Sequence, residues 1–264
     1  PNGKVVAILG ATGVVGAQMM QCLEERNFPI KELVLLASAR SAGKTIEFAG
    51  QQIEIREATP EAFEGVDIVL GAAGDEQAKE LLPEAVKRGC VCVDNSHAFR
   101  MDPNVPLVIP EINAEDIKNH NGIISNPNCA TIIGLVPLYP LHNAAGAKRI
   151  IASTYQAASG AGLPGLTSLK NQMADKIMHL PELRVNCTCV RVPTMRSHSE
   201  SITVEFERPL SPDEARAILE DAPGIKVVDN PAELQYPMPL DTSDQDLIYV
   251  GRIREDLSAD EDTH

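Results

Sequence analysis

Residues 4–16 read KVVAILGATGVVG, an apolar run that breaks into glycines and resumes as a helix. Lys4 to Leu9 form a short strand pattern, and Gly10, Ala11, Thr12, Gly13, Val14, Val15 and Gly16 form a glycine loop. Glycines there let the backbone turn tightly and approach a pyrophosphate, whose charge rests on the N–H groups at a helix N-terminus. The pattern then repeats: a helix through MMQCLEERN, strands ELVLLAS and VDIVLGAA, a helix through QAKELLPEAVKRG, and a strand CVCVDNS. Alternating strands and helices imply right-handed crossovers onto a parallel sheet. The fold class is therefore α/β, a doubly wound Rossmann-type parallel sheet, assigned to residues 1–130 as a dinucleotide-binding domain.

The cofactor choice rests on the end of the second strand, Ala37-Ser38-Ala39-Arg40-Ser41. An acidic residue at that place would bond the ribose 2′-hydroxyl of NAD. Here there is none, and Ser38, Arg40 and Ser41 suit a 2′-phosphate, so NADP is expected; the plain alternative makes Arg40 a solvated loop charge. Gly71, Ala72 and Ala73, with Gly74, make a second small-residue turn beside which a cofactor could pass.

Beyond about residue 130 the rhythm changes: a helix through TIIGLVPLYPLHNAAG precedes RIIASTYQAAS, CTCVRVP, SITVEFERP and DLIYVGRI, strands of antiparallel character. Helices GLTSLKNQMADKI and SPDEARAILEDA lie between them. Residues 131–252 are expected to form an α+β domain with a mixed, largely antiparallel sheet offering a face to a partner subunit, and 253–264 an acidic tail.

Composition narrows the partners. Lys and Arg number 23 against 37 Asp and Glu, a net charge of −14 over 264 residues without a basic tract, which argues against nucleic acid. Aromatic residues are 3% of the chain with no Trp, and no apolar run is long enough to span a bilayer, so no membrane association is expected. The first strand leads straight into the glycine loop without the layout of a signal peptide, and a cytoplasmic location is expected. Cys90/Cys92 and Cys187/Cys189 are each Cys-x-Cys within β-branched runs, which reads as small buried residues of strands, and no metal site is expected.

Cys129 differs from these. In Ser125-Asn126-Pro127-Asn128-Cys129-Ala130-Thr131 an extended segment gives way to a helix. A thiol at a helix N-terminus has its thiolate favoured by the dipole, and the thiolate is the nucleophile. Spacing alone leaves an unreactive capping Cys equally open.

GATGVVG at 10–16, VDNSHAFR at 93–100, VPLVIPEIN at 105–113, SNPNCAT at 125–131, YQAASGAG at 155–162, CVRVPTMRSHSES at 189–201, and YPMPLD followed by VGRI together resemble the aspartate-β-semialdehyde dehydrogenase family. The resemblance implies NADPH-dependent reductive dephosphorylation of L-aspartyl-4-phosphate to the semialdehyde through a Cys129 thioester, a step toward lysine, methionine and threonine. It further implies His198 as acid and base, Arg191 on the substrate carboxylate, Gln156 and Asn128 positioning the acyl group, and Arg100 on the phosphate. Ser159 and Gly160 would approach the cofactor, and a homodimer or homotetramer would form on the second sheet.

Local chemistry agrees in part. His198 is flanked by Arg196, Ser197, Ser199 and Glu200, and imidazole moves protons near neutrality. Arg191 lies in a strand suited to burial, where a guanidinium needs an anion, either a substrate or a structural carboxylate. Arg100 follows a strand at the carboxyl edge of the sheet, where such folds bind ligands.

Two departures stand out against the resemblance. The chain passes almost directly from GLTSLKNQMADKI to HLPELRVNCTCVRVP, where the family carries an insertion supplying a Glu and a Lys, and it stops at RIREDLSADEDTH without the family's final strand and helix. N-acetyl-γ-glutamyl-phosphate reductase is the nearest rival of the same plan and glyceraldehyde-phosphate dehydrogenase a more distant one; an inactive, NADP-binding short form is the rival of a different class.

Overall fold

The structure is a computed structural model that describes residues 3–157 and 171–259. The chain divides into two compact units, one of residues 1–108 and 115–127, the other of residues 109–114 and 128–264.

In the first unit β1 (Lys4–Leu9), α1 (Val14–Glu25), β2 (Ile30–Ala37), β3 (Thr45–Phe48), β4 (Gln51–Glu57), β5 (Ile68–Gly71), α2 (Asp75–Lys87), β6 (Val91–Asp94) and β7 (Ile123–Ser125) follow in order. They build one seven-stranded sheet, β3-β4-β2-β1-β5-β6-β7. Every pair is parallel except β3 with β4, an edge hairpin that the sequence reading passed over. Its residues, TIEF and QQIEIRE, alternate apolar and polar and leave one face wet, so they lack the solid apolar run that marks the inner strands. Alternate residues of the inner strands feed two cores. Ala7, Leu9, Val34, Leu36 and Val69 pack with Leu81, Leu82 and Ala85 of α2, while Val6, Ile8, Leu33 and Leu35 pack with Met20 of α1. Both faces of β1 are thus buried, as a central parallel strand requires.

The second unit holds α3 (Pro110–Asn113), α4 (Cys129–Ala145), β8 (Ala147–Gln156), a π-helical turn Asn171–Ile177, β9 (Arg184–Arg191), β10 (Ser199–Phe206), α5 (Pro212–Glu220), β11 (Ile225–Val227) and β12 (Ile248–Val250). Its sheet is mixed: β8 is central, antiparallel to β10 and parallel to β9. The antiparallel share is smaller than expected, because the long connection between Gln156 and Arg184 lets β9 return in the direction of β8, and β11 pairs parallel with β12 as well. Ile150, Ala152, Thr154 and Gln156 alternate along the buried face of β8. Ser211 starts α5 with a capping box, its Oγ accepting from the Glu214 N–H while the Glu214 carboxylate accepts from the Ser211 N–H.

Cys90, Cys92 and Cys187 are buried, the state their strand pattern predicts, whereas Cys189, on the edge strand β9, is only half-buried. No helix among the described residues is long and apolar enough to cross a membrane.

Candidate active site

In the first unit the glycine loop closes the carboxyl end of β1. Gly10 has φ +91°, and a Cβ there would stand 2.8 Å from the backbone of Ala72, so only glycine fits. A Cβ on Gly16 would lie 2.5 Å from the Gly10 carbonyl oxygen, which is how α1 comes so close to β1. Gly13 is the N-cap of α1, with no side chain capping the helix and no acidic residue in its first turn. Thr12, Gly13, Val14 and Val15 are exposed while Ala11 is buried. This is an open, positively polarised helix end, fit for a phosphate. The neighbouring strand ends converge on it: Ser38, Arg40 and Ser41 follow β2, and Gly71, Ala72 and Ala73 follow β5, with the Ala72 N–H bonded to the Leu9 carbonyl. Ser38 and Arg40 are exposed, and no carboxylate occupies residues 38–41. These residues fit a dinucleotide with an extra phosphate on its ribose. Ser159 and Gly160 lie outside the described residues.

Arg100 also belongs to the first unit. Its Nε donates to the Asn126 carbonyl and its Nη2 to the Asn95 carbonyl, each at 2.9 Å, and the side chain is buried. It thereby ties together the carboxyl ends of β6 and β7.

The second unit assembles the reactive centre. Cys129 is exposed at the first position of α4. Asn128 is the N-cap: its Oδ1 accepts the Ala130 N–H at 3.0 Å, and its own N–H is taken by the buried Gln172 at 3.2 Å. Nε2 of His198 stands 3.1 Å from Sγ of Cys129. On the other side of the ring, Nδ1 accepts the backbone N–H of Ala157 at 2.9 Å. Nδ1 therefore carries no proton, and the neutral ring has its hydrogen on Nε2, aimed at sulfur. Burial, and then the nearby Arg191 charge, hold the His198 imidazole below its usual range, which keeps it neutral.

Ala157 has a second role, since its carbonyl oxygen accepts from Nη1 of Arg191. Arg191 ends β9 directly opposite Gln156, the last residue of β8, so the two share a face. Gln156 is buried, but Arg191 is exposed, contrary to the burial expected of it: it is the final residue of an edge strand, where the sheet no longer covers it.

The turn carrying His198 is fastened from the far end of the unit. Ser197 takes a left-handed φ of 66°, its Oγ lies 2.5 Å from Oγ1 of Thr242, and Arg196 pairs with Asp244. The YPMPLD stretch at 236–241 leads into these anchors. Sequence reasoning missed Ala157 and Gln172: the first acts through its backbone and leaves no compositional trace, and the second resembles any polar helix residue.

A semialdehyde dehydrogenase NAD-binding domain matches residues 5–120, and a semialdehyde dehydrogenase dimerisation domain matches residues 172–264. An aspartate-semialdehyde dehydrogenase of Aquifex aeolicus is 43% identical over 302 aligned positions, which cover 96% of this chain and 89% of the relative. Since 96% of 264 residues is about 253, about 49 aligned positions of that relative have no counterpart here. Among solved structures, aspartate semialdehyde dehydrogenase II of Vibrio cholerae complexed with ASA is similar with a TM-score of 0.85 at 38% identity, covering 97% of this chain and 89% of that one. The enzyme from Candida albicans with NADP has a TM-score of 0.81 at 26% identity, covering 98% and 91%.

Proposed function

Because the chain belongs to the aspartate-semialdehyde dehydrogenase family, we propose that its reaction runs on Cys129, with His198 holding the sulfur as a thiolate. The observation that carries this is the 3.1 Å approach of His198 Nε2 to Cys129 Sγ at the start of α4.

The thiolate attacks the acyl carbon of L-aspartyl-4-phosphate, the bond from that carbon to the phosphate oxygen breaks, phosphate leaves, and a thioester remains on Cys129. NADPH, when bound, supplies a hydride to the thioester carbon. The resulting thiohemiacetal oxyanion collapses by breaking its C–S bond, which releases aspartate semialdehyde and returns the thiolate to the Nε2–H of His198. Asn128 orients the sulfur through the helix cap, and Gln156 offers its amide to the acyl group. The exposed guanidinium of Arg191, braced by Ala157, receives the substrate carboxylate as a planar fork. Arg100 serves the phosphate. The Glu and Lys of the family's insertion have no assigned counterpart among these residues.

Gly10 to Gly16, the residues 38–41 and the turn 71–73 hold the dinucleotide, with Arg40 and the two serines on the 2′-phosphate. The six thiols are free, which suits a reducing cytoplasm. The outer face of the β10-β8-β9 sheet, where Tyr155 and Val190 are 44% and 41% exposed, is the surface for a second copy, as homodimer or homotetramer.

The test is the reverse assay. Protein mixed with phosphate, NADP and aspartate semialdehyde should generate the absorbance of reduced nicotinamide, with N-acetylglutamate semialdehyde and NAD each far poorer. Preference for N-acetylglutamate semialdehyde would sink the substrate assignment. A folded protein that binds NADP and turns over neither would favour the inactive form.

A further inference from the structure

One half-buried acid, with its Oε1 shut off from solvent, takes no part in the chemistry above. Glu200 lies in β10 two residues past His198, directly across from Thr154 of β8, which lies directly across from Cys189 of β9. The three side chains therefore form one row on the buried face of the sheet. Helix α4 lies over this row: a Cβ on Gly134 would stand 2.7 Å from Oε2 of Glu200, so the absence of a side chain there makes room for the carboxyl group. Thr131 is three residues earlier on the same helix face, one turn nearer Cys129. Oε1 of Glu200, Oγ1 of Thr154 and Oγ1 of Thr131 are all buried without a hydrogen-bond partner among the described residues.

The surroundings supply little to stabilise a charge. Helix α4 contributes no Asp, Glu, Lys or Arg, only the titratable Cys129, Tyr139 and His142. Strand β9 brings Cys187, Cys189 and, one pair further on, Arg191; His198 stands just before β10; and the turn Asn171–Ile177, packed on α4, brings Asp175 and Lys176. Burial pushes the Glu200 carboxyl up to about 8, and no cation among the described residues offsets it.

We propose that Glu200 is a positioning residue that works as a neutral carboxylic acid, filling the space between α4 and the sheet without placing a negative charge beneath the helix end that carries Cys129. This rests on the reading of Cys129 as the nucleophile. Gly134 is five residues from Cys129, a rise of roughly 7.5 Å along the helix. The helix end offers the thiolate about half a positive charge, which a carboxylate at that range would oppose. With an effective dielectric of about 20, such a charge lowers the thiolate-to-thiol ratio roughly 40-fold. Ionisation of Glu200 then acts as an alkaline brake on the sulfur.

The experiment uses the full chain. Alkylation of Cys129 by iodoacetamide, followed by peptide mass, is measured from about pH 6 to about pH 10 in the native protein, E200Q and E200M. E200M covers the case in which a buried amide prevents folding. Rates should agree at the acid end and separate as pH passes the region of 8, the native protein lagging by up to roughly 40-fold as long as the thiol is incompletely ionised. The infrared stretch of a protonated carboxylic acid should be present in the native protein at neutral pH and absent from the folded variant. Superimposable alkylation profiles, or no such band lost on substitution, would overturn the proposal. Alkylation reads the sulfur without substrate, so this result stands apart from the activity assay. A C129A protein that still turned over would instead remove the nucleophile assignment itself.

Discussion

Nδ1 of His198 accepts the backbone N–H of Ala157 at 2.9 Å, and this one bond decides which ring nitrogen faces Cys129. With Nδ1 occupied, Nε2 presents a hydrogen to sulfur 3.1 Å away. A glutamine amide can reach the place of Nε2, whereas an asparagine amide reaches only that of Nδ1. H198N should therefore lose about 10²–10⁴ in kcat, and H198Q should be at least about ten times faster than H198N. Steady-state kinetics of the two variants check this, and an asparagine variant as fast as the glutamine one would mean the ring is held the other way. The acid side follows from the same bond. A histidine held below 6.5 stabilises the fold above that pH, and the contribution is lost as pH falls through the lowered value. Activity should accordingly persist somewhat below pH 6.5 before it fails, because protonating Nδ1 breaks the bond to Ala157.

Cys129→Ala removes the thiol proposed to form the thioester. Turnover should fall to background while NADP affinity stays within about twofold, since the glycine loop and residues 38–41 belong to the other unit. Fluorescence titration with NADPH beside the activity assay distinguishes this from general misfolding.

Gly10→Ala forces a side chain into a left-handed backbone position and against the Ala72 backbone at 2.8 Å. The expected cost is about 1–3 kcal/mol of stability, together with a marked loss of NADP binding as the loop shifts. Urea unfolding and cofactor titration measure the two effects separately.

Asp229, whose side chain is 1% exposed, gathers donors from Nε and Nη2 of Arg216 at 3.1 and 2.8 Å and from the Arg252 and Ile253 N–H groups at 2.7 and 3.3 Å. Burial pulls its carboxyl upward, but Arg216 and the two N–H groups outweigh it and hold the carboxyl below its usual range. Such a group stabilises the fold above the unfolded value of 3.8, and the contribution is lost as pH falls through the lower folded value. Asp229→Ala leaves a guanidinium and two backbone groups without their acceptor and should cost about 2–4 kcal/mol. The midpoint of urea unfolding at neutral pH checks it.

The glycine loop, the inner parallel strands and Cys129 at a helix start were legible because each depends on a local pattern: apolar runs, glycines at fixed spacing, an Asn cap. The β3-β4 hairpin was not, because its alternation is shared with many solvated loops. Nor was the exposure of Arg191, which depends on β9 being an edge strand and hence on pairings far apart in sequence. The peptide of Ala157 left no signal at all, since every residue except proline carries the same N–H and C=O. Glu200 was visible only as a polar neighbour of His198; its burial follows from Gly134, more than sixty residues earlier.

The register of β8 also bears on the life of the chain before it is folded. Gln156 opposite Arg191 and Tyr155 opposite Ser199 require three segments distant in sequence to meet on one central strand. Contacts of such long separation close late in folding. Until they close, no imidazole stands beside Cys129 and no peptide holds that imidazole in place, so a newly made or partly unfolded chain carries an ordinary thiol. The proposed nucleophile gains its imidazole only once this strand is in place, and a damaged molecule that loses the strand pairing loses that arrangement with it.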